Sequence, residues 1–403
     1  MALDVQDGGR QARDGVAKWW YDPKVRAVII QVTFVVALVA IVAYVVNNTV
    51  QNLEKRDIRA GFGFLSEPAG FEIPLTGIVD YAVDDGSTHG AVFLIGLQNT
   101  FLISAAGIVF ATILGFLLGI LRLSSNWIVS RLVGAYVELV RNIPLPLQFI
   151  FWHIAVFLVF LPHVRKSYSF LDTFFIHNRG VTGPKPIPED GFGVVILALL
   201  IAIGIVMLLR NWAKKRQDVT GEQFPVLFTS LAILIGLPMA VSASLGFPLA
   251  WDYASMGKFR FTGGMEIQIE LFSALTALTI YTSAFIAEIV RAGILAISKG
   301  QTEASHALGL RHGPTLRLVI IPQALRVIIP PLISQYLNLT KNSSLGILIG
   351  YPDLFNVFGG ISLNQTGQAI EIIFMSMSVY LVFSLLISMY MNWYNRRIAL
   401  VER

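Results

Sequence analysis

Long apolar runs constrain this chain more than any other feature. VIIQVTFVVALVAIVAYVV at residues 28–46 and IFMSMSVYLVFSLLISMYM at residues 373–391 approach the ~20 residues that a helix needs to cross a hydrocarbon layer. A backbone in hydrocarbon finds no water to bond, so only helices and closed barrels persist there. A barrel needs strands of about ten residues with alternating polarity, and no such pattern occurs here. Composition agrees: hydrophobic residues make up 55% of the 403 residues and charged residues 14%, with a mean hydropathy of +0.67. The expected fold class is all-α, a polytopic helical bundle of the inner membrane.

Eight spans are expected, near 26–46, 92–121, 134–161, 192–209, 225–247, 266–290, 320–345 and 370–394. An even number puts both ends on one side, and Lys and Arg retained in the cytoplasm choose that side. Lys18, Lys24 and Arg26 precede the first span, whereas the loop after it carries Glu54, Asp57, Glu67, Glu72, Asp80, Asp84 and Asp85. The amino and carboxyl ends are thus expected in the cytoplasm, together with Arg122 and Arg131, the RNWAKKR segment at 210–216 and the terminal NRRIALVER. The amino terminus lacks the short apolar core and Ala-x-Ala site of a cleaved signal. The expected organisation is a tail at 1–25, a first helix and external loop at 26–91, a membrane domain at 92–395 and a tail at 396–403. The Pro- and Gly-rich stretch IHNRGVTGPKPIPEDGFG at 176–193 marks an external loop within an insertion at about 163–265.

Several chemistries are absent. With no Cys, disulfides and thiolate-bound metals are excluded. No phosphate-binding Gly-x4-Gly-Lys-Ser/Thr loop occurs, since the one Gly-Lys pair, Gly257-Lys258, is followed by Phe259. There is no Gly-x-Ser-x-Gly elbow and no His-Glu-x-x-His, and the six His residues lack metal-ligand spacing. No catalytic residue and no metal site is therefore expected. The net charge of +5 sits at span ends, which suits anionic lipid headgroups and topology rather than nucleic acid.

A polar stretch, KGQTEASHALGLRHGPTLRLVIIPQALR at 299–326, lies between two apolar spans on the expected cytoplasmic side. Good helix formers fill the interval between Gly300 and Gly309. Ala304, Ala307 and Leu308 share one face by the i, i+3, i+4 rule, Glu303 suits the positive first turn, and Gly309 suits a left-handed cap. Two turns are not stable alone in water. The physics leaves two homes for the small apolar face: a groove in another protein or the membrane surface.

EASHALG at 303–309, nine residues, then VIIP at 319–322 resembles the EAA loop of type I ABC importer permeases. That pattern reads Glu-Ala-Ala, three residues, Gly, nine residues, Ile-x-Leu-Pro. Ser305, Val319 and Ile321 depart from it with size kept and spacing intact. GLQNTFLIS at 96–104, YVELVRNIPLPLQFIFW at 136–152, AFIAEIVRAGILAISKGQTEA at 284–304 and LTKNSSL at 339–345 resemble the polar amino-acid group of these permeases, and the insertion resembles general L-amino-acid permeases. The resemblance implies a loop helix, carried by Gln301, Glu303, Ala304, Ser305, Ala307, Leu308 and Gly309, that docks on a separate cytoplasmic ATPase. It implies two ATPase subunits, which bind ATP and Mg, a second permease, identical or more favourably paralogous, and a periplasmic amino-acid-binding protein. The chain itself would need no cofactor and would not be an enzyme.

Lys341, among Asn338, Asn342, Ser343 and Ser344, is the first candidate for lining a pathway, against the alternative of a structural ion pair. Asn99, Thr100, Tyr281 and Ser283 join it from the matched segments. Glu138, Arg141, Glu288 and Arg291 fall near span ends and suit either a gate or simple snorkelling. Gly107, Ala111, Gly115 and Gly119 recur every four residues and suit close helix packing, internal or between subunits. Pro144, Pro146, Pro330 and Pro331 are expected to bend their spans. An ion-coupled secondary amino-acid transporter remains the alternative, for which neither inverted repeats nor midplane ion ligands are visible.

Overall fold

A computed structural model describes residues 22–55, 61–258 and 260–398. Residues 1–21 and 399–403 of the expected tails at 1–25 and 396–403, together with Lys18 and Asp57, lie outside the described residues. Ten helices of the described residues organise the chain. They are α1 (Pro23–Lys55), α2 (His89–Arg122), α3 (Trp127–Asn142), α4 (Leu145–Leu158), α5 (Phe192–Thr220), α6 (Val226–Ser244), α7 (Ile269–Leu295), α8 (Lys299–Ala307), α9 (Ile321–Asn342) and α10 (Ala369–Ile398). Seven are long and apolar enough to cross a membrane, and α3 with α4 makes an eighth if that bent pair is one span.

The bend expected at Pro144 in the span at 134–161 is a full break between two helices. The two helices meet at 105° because Pro144 carries no N–H and forces Ile143 before it into an extended conformation, φ −91° and ψ 124°. The break frees carbonyls that lipid cannot satisfy. Gln148, buried on α4, repairs it: its Nε2 donates to Val140 O at 3.0 Å and to Ile143 O at 3.1 Å. Pro330 and Pro331, by contrast, lie inside the continuous helix α9.

α2, α7, α9, α10 and the α3–α4 pair form a packed centre, whereas α1 has no buried residue in its apolar window and α6 has none along its length. α5 packs with α6 and buries only Ala198, Ala202 and Ala213. The centre is organised by α2 on α7. The small-residue stripe of α2 is buried inside the chain, so internal packing is its role. Gly107 faces Leu339 of α9, and Gly115 and Gly119 face Ile286 and Val290 of α7. An added Cβ at Gly115 would stand 2.6 Å from Ile286 Cβ, inside any tolerable contact.

The insertion departs from the all-helical expectation. β1 (Tyr168–Phe170), β2 (Phe174–His177), β3 (Gly180–Gly183) and β8 (Met265–Gln268) make a four-stranded antiparallel sheet, and β4 (Lys185–Pro188) pairs with β5 (Leu249–Asp252), and β6 (Ser255–Met256) with β7 (Phe261–Thr262). Phe174, Phe175 and Ile176 favour extended chain, and β8 closes the sheet from the far side of the α5–α6 hairpin, opposite Gly180–Gly183. β8 then runs directly into α7, so the sheet lies at the end of α7 opposite α8.

Gly115→Ala is expected to lower stability by about 1–3 kcal/mol through overpacking. Gly204→Ala on α5, where an added Cβ meets nothing within 4 Å, is expected to be neutral or slightly stabilising. Thermal unfolding of the two purified variants in one detergent checks the difference.

Candidate functional site

Helix α8 begins and ends where its residue types dictate. Ser298 caps it by accepting from Gly300 N at 3.3 Å, and Gly309 closes it with φ +79°. Leu310 N donates to Ser305 O at 3.1 Å and Gly309 N to His306 O at 2.9 Å, the paired bonds of a Schellman cap. These bonds satisfy carbonyls that a frayed end would leave to water. The helix lies against the turn Leu316–Ile320 that leads into α9. Ser305, which replaces an Ala of the family pattern, is the residue turned inward: it is buried, and its hydroxyl donates to Gln301 O at 2.6 Å. Gln301 Oε1 accepts from Gln323 Nε2 at 3.2 Å. Glu303, Ala304, Ala307, Leu308 and Gly309 face outward, and Leu308 is 83% exposed. The expected small apolar face is thus formed and uncovered.

The pathway candidates divide into two sets. Asn99 and Thr100 are fully buried and already committed: Asn99 Nδ2 donates to Leu75 O and Pro352 O, both at 2.9 Å, and Thr100 Oγ1 accepts from Leu354 N at 3.0 Å. With Tyr351 OH on Asn99 O at 3.0 Å, they pin the chain at 351–354 against α2. Asp353 of this segment, missed by sequence reasoning, is also buried. Its carboxylate accepts from Asn356 N at 2.9 Å and Tyr380 OH at 3.2 Å, and burial pushes it up to about 7. Ser283 and Ser343 are buried and donate to their own helical turns, at Ile280 O and Thr340 O. Tyr281 packs on Phe285 with ring centroids 4.9 Å apart. Asn99, Thr100, Ser283 and Ser343 thus make hydrogen bonds within the chain, while the buried Asn99 Oδ1 has no partner among the described residues.

Asn338 and Lys341 differ. With Ser334 they follow i, i+4 and i+7 along α9 and are all exposed, while Asn342 and Ser344 are half-buried beside them. A cation facing lipid at the centre of a span costs about 2.5–3.5 kcal/mol, so this polar face calls for protein or water rather than hydrocarbon.

Two of the four gate candidates meet one residue that sequence reasoning had used only as a topological marker, and a third joins them through Glu288. Arg122, at the end of α2, pairs with Glu288 of α7 and lies 3.3 Å from Glu138 of α3. Glu288 also accepts from Arg291 Nη2 at 2.6 Å. The fourth, Arg141, sits over the ring of Phe285 at 5.1 Å. The cluster ties three helices of one chain together near the end that carries α8.

The family described as "Binding-protein-dependent transport system inner membrane component" matches residues 223–400. General L-amino acid transport system permease protein AapQ of Rhizobium johnstonii is 48% identical over 383 residues, 95% of this chain and 94% of that protein. This chain belongs to that family. The putative amino-acid ABC transporter permease protein YhdX of Escherichia coli is 51% identical over 384 residues, covering 95% of this chain and 96% of that permease. The glutamate/glutamine/aspartate/asparagine transport system permease protein BztB of Rhodobacter capsulatus is 43% identical over 415 residues, again with 95% and 96% covered. A solved amino acid ABC transporter with histidines covers 77% of this permease and 95% of its own chain at 19% identity and a TM-score of 0.44. The resemblance read from EASHALG and its companions is borne out, and permeases of this family are not themselves catalytic.

A double-mutant cycle checks the Arg122 cluster. Arg122→Gln and Glu288→Gln are each expected to lower the melting temperature of the permease, and the double variant is expected to lose less than their sum. The coupling expected for residues in one ion-pair network is about 0.5–3 kcal/mol.

Proposed function

We propose that this chain is a membrane-spanning permease subunit of an ATP-driven ABC importer that moves polar L-amino acids into the cytoplasm of a bacterium. The single observation that carries the reading is the outward apolar face of α8, at Ala304, Ala307 and Leu308, on a two-turn helix capped at both ends. Membership of the family supports the type of importer, and the relatives named for general L-amino acids and for glutamate, glutamine, aspartate and asparagine support the cargo.

In this reading two separate cytoplasmic ATPases bind ATP and Mg and receive α8 in a groove. A helix that is rigid in itself transmits their closure to α9 and α7 as a rigid-body movement. A second permease subunit, paralogous rather than identical, stands across the Ser334, Asn338 and Lys341 face. Lys341 then offers a cation to the substrate carboxylate, while amides and hydroxyls serve either end of the zwitterion. A periplasmic amino-acid-binding protein delivers substrate on the side of the β-sheets. The chain sits in the inner membrane with both ends in the cytoplasm, which requires α3 and α4 to complete one crossing together. The Arg122 cluster serves as a clasp within the subunit rather than a gate between subunits.

Three variants compared in one preparation test this. Ala304→Trp is expected to abolish both ATPase copurification and uptake with the chain still in the membrane, and Gly309→Val to act alike by straining the left-handed cap by about 1–2 kcal/mol. Lys341→Met is expected to keep the ATPase bound while lowering uptake of labelled glutamate and glutamine. Normal ATP-driven uptake by Ala304→Trp removes the docking role, and unchanged uptake by assembled Lys341→Met removes that residue from the pathway.

A further inference from the structure

The ends of α5 and α10 bring three cations to one cavity. Arg210 and Lys214, four residues apart on α5, and Arg397 near the end of α10 line an opening of about 730 Å³, with Met207, Phe224 and Val226 as its apolar wall. Among the described residues no acidic side chain borders it. The acids of the neighbouring segment are Asp218 and Glu222, and Glu222 is taken by Arg216 at 2.6 Å. Among the described residues no ion pair involves Arg210, Lys214 or Arg397. Like charges gathered without a counter-charge repel, so the arrangement is short of an anion.

The depth of the cavity says which anion. Residues 192–209 of α5 are almost wholly apolar and span about 27 Å, close to the ~30 Å of hydrocarbon in a bilayer. Arg210 therefore stands at the hydrocarbon boundary and Lys214 about 6 Å beyond it. Aromatic residues gather at the same level, as they do at membrane interfaces. Arg397 lies over Trp393 at 4.3 Å, Arg216 over Trp212 at 5.6 Å, and Trp212 meets Phe224 edge-on at 5.4 Å. A soluble anion gains nothing from Met207, Phe224 and Val226, whereas the glycerol and first methylenes of a lipid do.

We propose that this cavity holds the headgroup of an anionic phospholipid, its phosphate among Arg210, Lys214 and Arg397. The bound lipid joins the peripheral α5–α6 hairpin to α10 of the packed centre. The full-length chain, purified in detergent in the assembly that leaves the membrane with it, is titrated with phosphatidylglycerol and bound lipid is counted by native mass spectrometry. Replacing Arg210, Lys214 and Arg397 each by Gln is expected to weaken binding about fivefold per residue and about a hundredfold together. Arg210→Lys with Arg397→Lys is expected to retain binding, which separates lost charge from lost fold, and Arg179→Gln at the opposite end is expected to change nothing. Phosphatidylcholine is expected to bind far more weakly. Equal binding by the triple Gln variant, or by phosphatidylcholine, overturns the proposal. Full displacement by millimolar inorganic phosphate also overturns it, in favour of a site for free phosphate.

Discussion

A polar group carried into hydrocarbon without a partner is costly, and that cost organises much of this molecule. Where a partner exists within the chain, the group is structural. Gln148 meets the carbonyls freed at Pro144, Asn99 and Thr100 meet the backbone at 352 and 354, and Glu288 meets Arg122 and Arg291. Where none exists among the described residues, as along Ser334, Asn338 and Lys341 on α9, the exposed face calls for water or another subunit. The same test divides residues that look alike in sequence, since Asn99 and Asn338 are both amides in apolar surroundings and only the second is exposed.

Helix α8 obeys the converse rule on the aqueous side. Its backbone is satisfied by Ser298 and by the Gly309 cap, and its inward contacts run through Ser305 and Gln301. What remains uncovered is small and apolar. Its rigidity comes from the caps and from the turn Leu316–Ile320 beneath it, which connects it directly to α9. Force applied at Ala304 and Ala307 therefore has a short route to the helix that carries Lys341.

The spans were legible because apolar runs of that length have few alternatives, and α8 was legible because Gly309 is both a stop and a left-handed position. The bend at Pro144 was legible in kind but not in size. Other features depend on partners that are distant in sequence. β3 pairs with β8 across the α5–α6 hairpin, Arg122 meets Glu288 from another span, and Asn99 reaches the carbonyl of Pro352. An isolated polar residue in an apolar run has the same local signature whether it pins a loop or lines a path. Asn99 and Thr100 therefore read like Lys341 in the sequence, and only packing shows that the first two are buried and bonded within the chain.

Uptake into sealed vesicles tests the central claim most directly. The purified assembly is reconstituted with its ATPase side inward, and labelled glutamine is supplied outside with the binding protein. Accumulation against a gradient is predicted when ATP is trapped inside and not when ATP is omitted, whatever proton or sodium gradient is imposed. Accumulation driven by an ion gradient without ATP would contradict the account.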